Sequence, residues 1–167
     1  MKISGKIVMA GLFSLSFLVI INAQEAKFKL YNPYRDANQQ IDSAIEIAKK
    51  ENKHVLLQIG GNWCSWCIML HKFYSSESQV DSAINADYVV EYINFSKENK
   101  NLEVLKRLEF PQRFGFPVLV ILDAHGKRLH TQNCAYLEEG RGYNKEKLLG
   151  FLNQWKPDAL KPENYEK

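Results

Sequence analysis

Trp63-Cys64-Ser65-Trp66-Cys67 stands just after an apolar run, residues 55–59, and a Gly60-Gly61 break. The apolar run predicts a buried strand, and a helix is predicted from the first cysteine to about residue 74. The two cysteines therefore lie where a strand meets a helix. Two residues separate them, so their sulfurs can bond to each other. Backbone amides at the start of a helix also stabilise a thiolate on the first cysteine. This pattern indicates thiol–disulfide chemistry.

The chain has only three cysteines, and Cys134 is the one outside the pair. A fold held together by structural disulfides has more of them, whereas one close pair and one spare cysteine is the number expected of a redox site. Two buried structural cysteines are the simpler alternative for Cys64 and Cys67. Cys134 is expected to be a small, semi-buried apolar residue, with exchange against Cys64 as its alternative role.

A metal site is a further alternative for the cysteine pair. Cys64, Cys67 and His71 are spaced i, i+3 and i+7, so one helix face can carry all three. A structural zinc site takes four ligands, and the chain has no second Cys-x-x-Cys pair. We therefore predict no metal and no other cofactor.

Residues 1–23 have the pattern of a secretory signal. Lys2 and Lys6 precede an apolar segment over residues 7–21, and Ile21-Asn22-Ala23 is a candidate cleavage site. Cleavage is favoured over an uncleaved anchor because the apolar segment is short for a membrane span of about 20 residues. The prediction is a secreted or periplasmic protein with no stable membrane span after cleavage. Without the two lysines, the net charge of +3 falls to about +1, which does not suggest a nucleic-acid partner.

The rest of the chain is predicted to form one domain. Its composition, 46% hydrophobic and 25% charged, is that of a globular protein, and its length is enough to bury a core. The domain is expected at residues 36–156, after an N-terminal arm at 24–35 and before a polar tail at 157–167.

Helices and strands alternate along the predicted domain. Helices are expected at residues 36–52, 101–108 and 144–155, the last capped by Asn144, with a further turn after Ser76 or Ser78. Further strands are expected at residues 88–95, 118–122 and 127–131. This order predicts an α/β fold whose sheet has parallel strands and one antiparallel hairpin.

With these elements in place, the chain resembles the thioredoxin family over roughly residues 36–155. The resemblance depends on the Trp63–Cys67 motif after a strand, on Phe116-Pro117 directly before a strand, and on a strand that ends in an Asp-x-x-Gly turn at residues 123–126. It implies a thioredoxin-like three-layer sandwich, with a mixed central sheet of four to five strands flanked by helices. Together with the export signal, it implies a secreted thioredoxin-like protein of bacterial type.

The resemblance implies a role for each cysteine. Cys64 is expected to be the nucleophile that attacks a substrate disulfide, and Cys67 is expected to resolve the mixed disulfide by closing on Cys64. The predicted function is exchange of disulfides with protein substrates, and the direction of electron flow stays open. A separate redox protein is expected as partner, because the chain has no glycine-rich nucleotide-binding motif. The alternative is a thioredoxin-fold binding or chaperone-like module with little redox turnover.

A substrate-binding surface is also implied. Pro117 is expected to form a cis peptide bond that turns a backbone edge towards the cysteines, where an extended substrate pairs with it. Phe116 would then line the substrate groove. Trp63 and Trp66 are expected to contact substrate as well, with core packing as the alternative role.

One position departs from the family pattern. Thioredoxins bury an acid six residues before the first cysteine to relay the proton of the second cysteine, and this chain has Gln58 there. The expected sheet register places Tyr92 beside it on the next strand, where a lysine is common in the family. Because an amide does not take up a proton at neutral pH, deprotonation of Cys67 is expected to be slower or to use water or another group.

Overall fold

The computed structural model describes residues 29–166, so the predicted signal at residues 1–23 lies outside the described residues. The elements in chain order are α1 (Ala37–Glu51), β1 (His54–Gly60), α2 (Ser65–Ser76), α3 (Ser78–Asp87), β2 (Tyr88–Asn94), α4 (Leu102–Arg107), β3 (Val118–Leu122), β4 (Arg128–Asn133), β5 (Glu138–Glu139), β6 (Gly142–Tyr143) and α5 (Lys145–Trp155). Short 3-10 turns occupy Pro111–Phe114, Cys134–Leu137, Pro157–Leu160 and Pro162–Asn164.

The central sheet has four strands in the order β2-β1-β3-β4. β1 pairs in parallel with β2, in a register that sets Gln58 beside Tyr92 as predicted. β3 runs antiparallel to β1 and to β4. The mixed sheet and the three-layer α/β sandwich predicted from the sequence are confirmed. The expected parallel pairing holds for β1 and β2 but not for β3.

β3 starts at the sheet edge where β2 ends. Gly60 at the end of β1 lies beside Asn94 at the end of β2, and Val118 at the start of β3 lies beside Ile59. The connecting segment, residues 95–117, contains the six-residue helix α4 and returns the chain to the edge that it left. β3 therefore runs in the direction opposite to β2.

Side-chain caps determine where two of the helices begin. The Asp36 carboxylate accepts hydrogen bonds from two backbone amides of α1, and the Asn144 side chain accepts one from α5, which confirms the predicted cap. The prediction of Ser76 or Ser78 as the cap of α3 is wrong. The cap residue is Glu77, which makes no side-chain cap bond, because Ser76 still belongs to α2 and Ser78 already belongs to α3.

The core lies on both faces of the sheet, and β1 is buried along its whole length. Val55, Leu57 and Ile59 belong to a cluster with α1 and α4, whereas Leu56 belongs to a cluster with α2, α3 and α5. Successive side chains of a strand point to opposite faces, so Gln58 lies on the α2 face. Within residues 29–166, none of the helices is both long enough and apolar enough to cross a membrane.

The same sheet edge carries both predicted parts of the site. β1 ends at Gly60, four residues before Cys64, and β3 starts with Val118 beside Ile59. The Phe116-Pro117 loop, which leads into β3, therefore lies next to the cysteine pair at the end of β1.

Candidate active site

Cys64 and Cys67 form a disulfide at the start of α2. The two sulfurs are 2.10 Å apart and the two Cα atoms 5.2 Å apart. Cys64 is the N-cap residue, and its Sγ accepts a hydrogen bond from the Cys67 backbone amide at 3.1 Å. Amides at a helix N-terminus stabilise negative charge, so this position favours a thiolate on Cys64 once the disulfide is reduced.

The two cysteines differ in access to solvent. Cys64 is 6% exposed, whereas Cys67 is 0% exposed and lies inside the protein. Of the two residues, Cys64 is therefore the one that a disulfide of another protein can approach at the surface. The geometry suits attack by the first cysteine and resolution by the second.

The Phe116-Pro117 loop lies beside the buried cluster that contains the disulfide. The peptide bond between these two residues is cis, as the resemblance implied. Phe116 packs against the buried cluster that contains both cysteines, and its ring stacks on Phe95 with the ring centres 4.6 Å apart. The ring of Trp63 meets Phe116 edge to face at 5.6 Å. Phe116, Phe95 and Trp63 thus form one aromatic group beside the disulfide.

The two tryptophans of the motif have different surroundings. Trp63 is 59% exposed, and its indole Nε1 donates to the carbonyl of Phe95 at 2.7 Å. Trp66 is half-buried, and its ring packs edge to face on Tyr143 at 5.6 Å. The hydroxyl of Tyr143 also donates to the Trp66 carbonyl at 3.3 Å. Trp63 therefore offers an apolar surface at the disulfide, whereas Trp66 joins the site to the core.

Gln58 lies beneath Cys67 and is fully buried. Its Nε2 donates to the hydroxyl of Tyr31 at 2.7 Å and to the carbonyl of Cys67 at 2.9 Å. Its Oε1 is buried without a hydrogen-bond partner among the described residues. The amide thus occupies the position of the family's acid, fixes the backbone of Cys67, and leaves one buried acceptor unused.

A Gln58→Asp substitution is expected to raise the rate of disulfide turnover by about tenfold, because a positioned carboxylate can take the Cys67 proton. It should also destabilise the fold, since it loses both Nε2 bonds and buries a carboxyl group. Burial raises the pKa of the introduced carboxyl above about 3.9, its value in the unfolded chain. The folded state then holds its proton to higher pH, so the loss of stability grows as pH rises from about 4.

Gln58→Asn is the matched control for this experiment, because it has the same size as aspartate and no proton to exchange. The measurements are turnover of a small disulfide and chemical denaturation at two pH values. Equal turnover by the native protein and by Gln58→Asp would contradict a proton-relay deficit at this position.

Tyr31 and Gly60 were not among the residues predicted for the site. A Cβ added to Gly60 would lie 2.4 Å from Cys67 Sγ and 3.0 Å from the Tyr31 hydroxyl, so only glycine fits beneath the disulfide. Tyr31 is tied to Asn62, since its backbone amide donates to Asn62 Oδ1 at 3.0 Å and its carbonyl accepts from Asn62 Nδ2 at 2.7 Å. Burial raises the pKa of Tyr31 well above its usual value. An irregular arm has no periodicity that would reveal such a contact.

Cys134 and His71 belong to different surroundings. Cys134 is more deeply buried than predicted. It lies in the core cluster of α2, α3 and α5, and burial raises the pKa of its thiol far above the usual value.

His71 contacts Tyr92 on the neighbouring strand. The distance from His71 Nδ1 to the Tyr92 hydroxyl oxygen is 2.8 Å, and burial lowers the pKa of His71. Burial raises the pKa of Tyr92 to about 12. Across residues 29–166, no three His, Cys, Asp or Glu side chains are grouped so that they could hold a metal ion.

Comparison with known proteins places this geometry among proteins of similar fold. The family model of a thioredoxin-like domain matches residues 41–137. A curated relative, the disulfide bond reductase DsbH of Chlamydia pneumoniae, is 30% identical over 106 residues, which make up 58% of this chain and 64% of the relative. The chain thus matches somewhat less than two thirds of the length of that relative.

Two solved structures are similar as well. A disulphide isomerase from Xylella fastidiosa Temecula1 has a TM-score of 0.66 and 26% identity, over 75% of this chain and 95% of the other. A thioredoxin from Thermus thermophilus has a TM-score of 0.53 and 18% identity, over 75% of this chain and 92% of the other. The second likeness, at that identity, concerns the fold alone.

Proposed function

The chain belongs to the thioredoxin-like domain family, and we propose that it is an exported thiol–disulfide oxidoreductase. It exchanges disulfides with protein substrates through Cys64 and Cys67. The observation that carries the proposal is a bonded cysteine pair at a helix N-terminus in which Cys64 alone has access to solvent. The similarity to a disulfide bond reductase and to a disulphide isomerase supports the same class of reaction.

The first step is attack by Cys64. In the reduced protein its thiolate, stabilised by the α2 amides, attacks one sulfur of a substrate disulfide. A new bond forms between Cys64 and that sulfur, and the other substrate sulfur leaves as a thiolate that takes up a proton. Trp63, Phe116 and Pro117 form the surface against which the substrate is held.

The second step is resolution by Cys67. Its thiol loses a proton and attacks Cys64 Sγ, which forms the internal disulfide and releases the second substrate sulfur as a thiol. Two electrons have then passed from the protein dithiol to the substrate. The same steps in reverse oxidise a substrate dithiol. Since Gln58 does not take the proton of Cys67, water or another group accepts it.

Export and an external electron partner complete the proposal. The support for export is the sequence pattern of residues 1–23, with Lys2 and Lys6 before an apolar segment. A separate redox protein restores the dithiol or the disulfide after each turnover. Residues 36–156 form the catalytic domain in this proposal, between the arm and the polar tail.

Trapping of a mixed disulfide tests the proposal. Cys67→Ser, reduced and mixed with insulin, is expected to accumulate a covalent adduct through Cys64, because no second thiol remains to release the substrate. Mass spectrometry before and after dithiothreitol identifies the bond. Cys64→Ser is the matched control and should form no adduct, since Cys67 is inaccessible. Adducts of similar yield on both variants, or on neither, would overturn the assignment.

A further inference from the structure

A cavity of about 820 Å³ lies beside Trp63, the residue before Cys64, between the N-terminal arm and the loop that follows β2. Residues 29 and 31–34 of the arm line it, as do residues 94–98 and 100 at the end of β2 and in the following loop, together with Asn62 and Trp63. We call this space the arm cavity. Phe116 and Pro117 are not among the described residues that line it, so the arm cavity is distinct from the surface at the cis peptide bond.

Hydrogen bonds hold the walls of the arm cavity together. The backbone of Tyr31 pairs with the side chain of Asn62. Asn99 Nδ2 donates to the carbonyl of Pro33 at 3.1 Å, which ties the arm to the loop after β2. Trp63 Nε1 donates to the carbonyl of that same loop at Phe95. The cavity is therefore formed before any ligand arrives, which lowers the entropic cost of binding.

The chemistry of the arm cavity is apolar within and positive at its rim. The aromatic residues Tyr34, Trp63 and Phe95 line it, together with the backbone segment at the buried Tyr31. Three exposed lysines also line it, with Glu98 as the opposing charge, and none of the three forms an ion pair with another described residue. These lysines are Lys29, Lys97 and Lys100. Such a site suits an apolar side chain that is flanked by carboxylates.

The arm cavity is within reach of a substrate that is held at Cys64. Trp63 lines the cavity and directly precedes Cys64, and consecutive Cα atoms are about 3.8 Å apart. An extended substrate advances roughly 3.3 Å per residue. A few residues on one side of the attacked cysteine are therefore enough to reach from Cys64 Sγ into the cavity.

We propose that the arm cavity binds an acidic segment of the substrate polypeptide, with an aromatic or large aliphatic side chain, next to the disulfide that Cys64 attacks. This inference rests on the proposed function. The lysines select substrates by charge, and the aromatic walls hold the apolar side chain. The reaction itself is unchanged: the protein dithiol becomes the Cys64–Cys67 disulfide, and the substrate disulfide becomes two thiols.

Two disulfide-linked peptide homodimers test the inference. One has the order Cys-Gly-Glu-Phe-Glu in each chain and the other Cys-Gly-Lys-Phe-Lys, so that both sulfurs of each dimer are equivalent. Pre-reduced native protein is expected to reduce the acidic dimer about tenfold faster than the basic dimer at low salt, with a smaller ratio at high salt. Acid quenching, alkylation and mass spectrometry give the rates.

The charge reversal Lys97→Glu/Lys100→Glu is expected to abolish or invert this preference. Lys49→Glu/Lys50→Glu is the matched control, because it makes the same change in net charge at the end of α1, near the start of β1 and so at the opposite edge of the sheet. It should keep the preference for the acidic dimer. An acidic dimer with serine in place of phenylalanine should react more slowly than its parent.

Equal rates for the two dimers, or a preference that survives in Lys97→Glu/Lys100→Glu, would overturn the inference. Reduction of hydroxyethyl disulfide by the native protein distinguishes a failure of the arm-cavity assignment from a failure of the oxidoreductase function. If that small neutral disulfide is reduced while the dimers react equally, the arm cavity alone is wrongly assigned. If neither the small disulfide nor any dimer is reduced, the oxidoreductase function fails, and the inference fails with it.

Discussion

Cys64→Ser is expected to lower the turnover of a protein disulfide by at least about a thousandfold. Thiol–disulfide exchange needs a thiolate, and a serine hydroxyl in its place does not attack a disulfide. Cys67 does not substitute for it, because Cys67 is 0% exposed whereas Cys64 reaches the surface. Insulin reduction with dithiothreitol as the electron source measures the effect.

Cys134→Ala is the control for the loss of a thiol elsewhere in the chain. Cys134 lies in a different core cluster from the disulfide, so its removal should leave turnover close to that of the native protein. The fold should lose only about 1 kcal/mol from the small cavity left behind. Substantial turnover by Cys64→Ser, or its loss in Cys134→Ala, would mean that the wrong sulfur has been assigned as nucleophile.

Gly60→Ala is expected to destabilise the oxidised protein by about 2 kcal/mol, the usual cost of overpacking a core. The added Cβ would lie 2.4 Å from Cys67 Sγ and 3.0 Å from the Tyr31 hydroxyl. In the oxidised protein the bond to Cys64 holds Cys67 Sγ in place. In the reduced protein that sulfur is free to shift, so the dithiol form should lose less stability.

The consequence is a change in redox equilibrium. A difference of about 1.4 kcal/mol between the two forms corresponds to tenfold in an equilibrium constant, so Gly60→Ala should favour the dithiol about tenfold in a titration against glutathione. Gly150→Ala is the matched control. Apart from the nearby backbone of α5 itself, a Cβ added there has no atom within 4 Å, and this change should stabilise the helix by roughly 0.5–1 kcal/mol. Equal destabilisation of both redox forms by Gly60→Ala would contradict the steric argument.

Much of the fold could be predicted because its signals are local. The apolar run before Gly60, the helical periodicity of α1 and the cap at Asn144 each depend on neighbours in sequence. The register of Gln58 beside Tyr92 also agreed with expectation. The antiparallel direction of β3 did not follow from the pattern, because strand direction depends on how far the connecting segment carries the chain.

Part of the candidate site, like part of the fold, could be predicted from local signals. Its two cysteines and its Phe116-Pro117 loop are encoded as short motifs, and the structure brings them to one sheet edge. Tyr31 and the arm cavity have no such motif. They arise where the arm, the loop after β2 and the residues before Cys64 meet, which are remote from one another along the chain.

Two cysteines at the start of a helix after a buried strand can be inferred without coordinates, since spacing and periodicity are properties of neighbouring residues. Three features emerge only once the chain is folded: Cys64 reaches the surface while Cys67 does not, Gly60 has no room for a side chain, and a cavity with a positive rim lies beside Trp63. Burial and close contact depend on segments that packing brings together from distant parts of the chain.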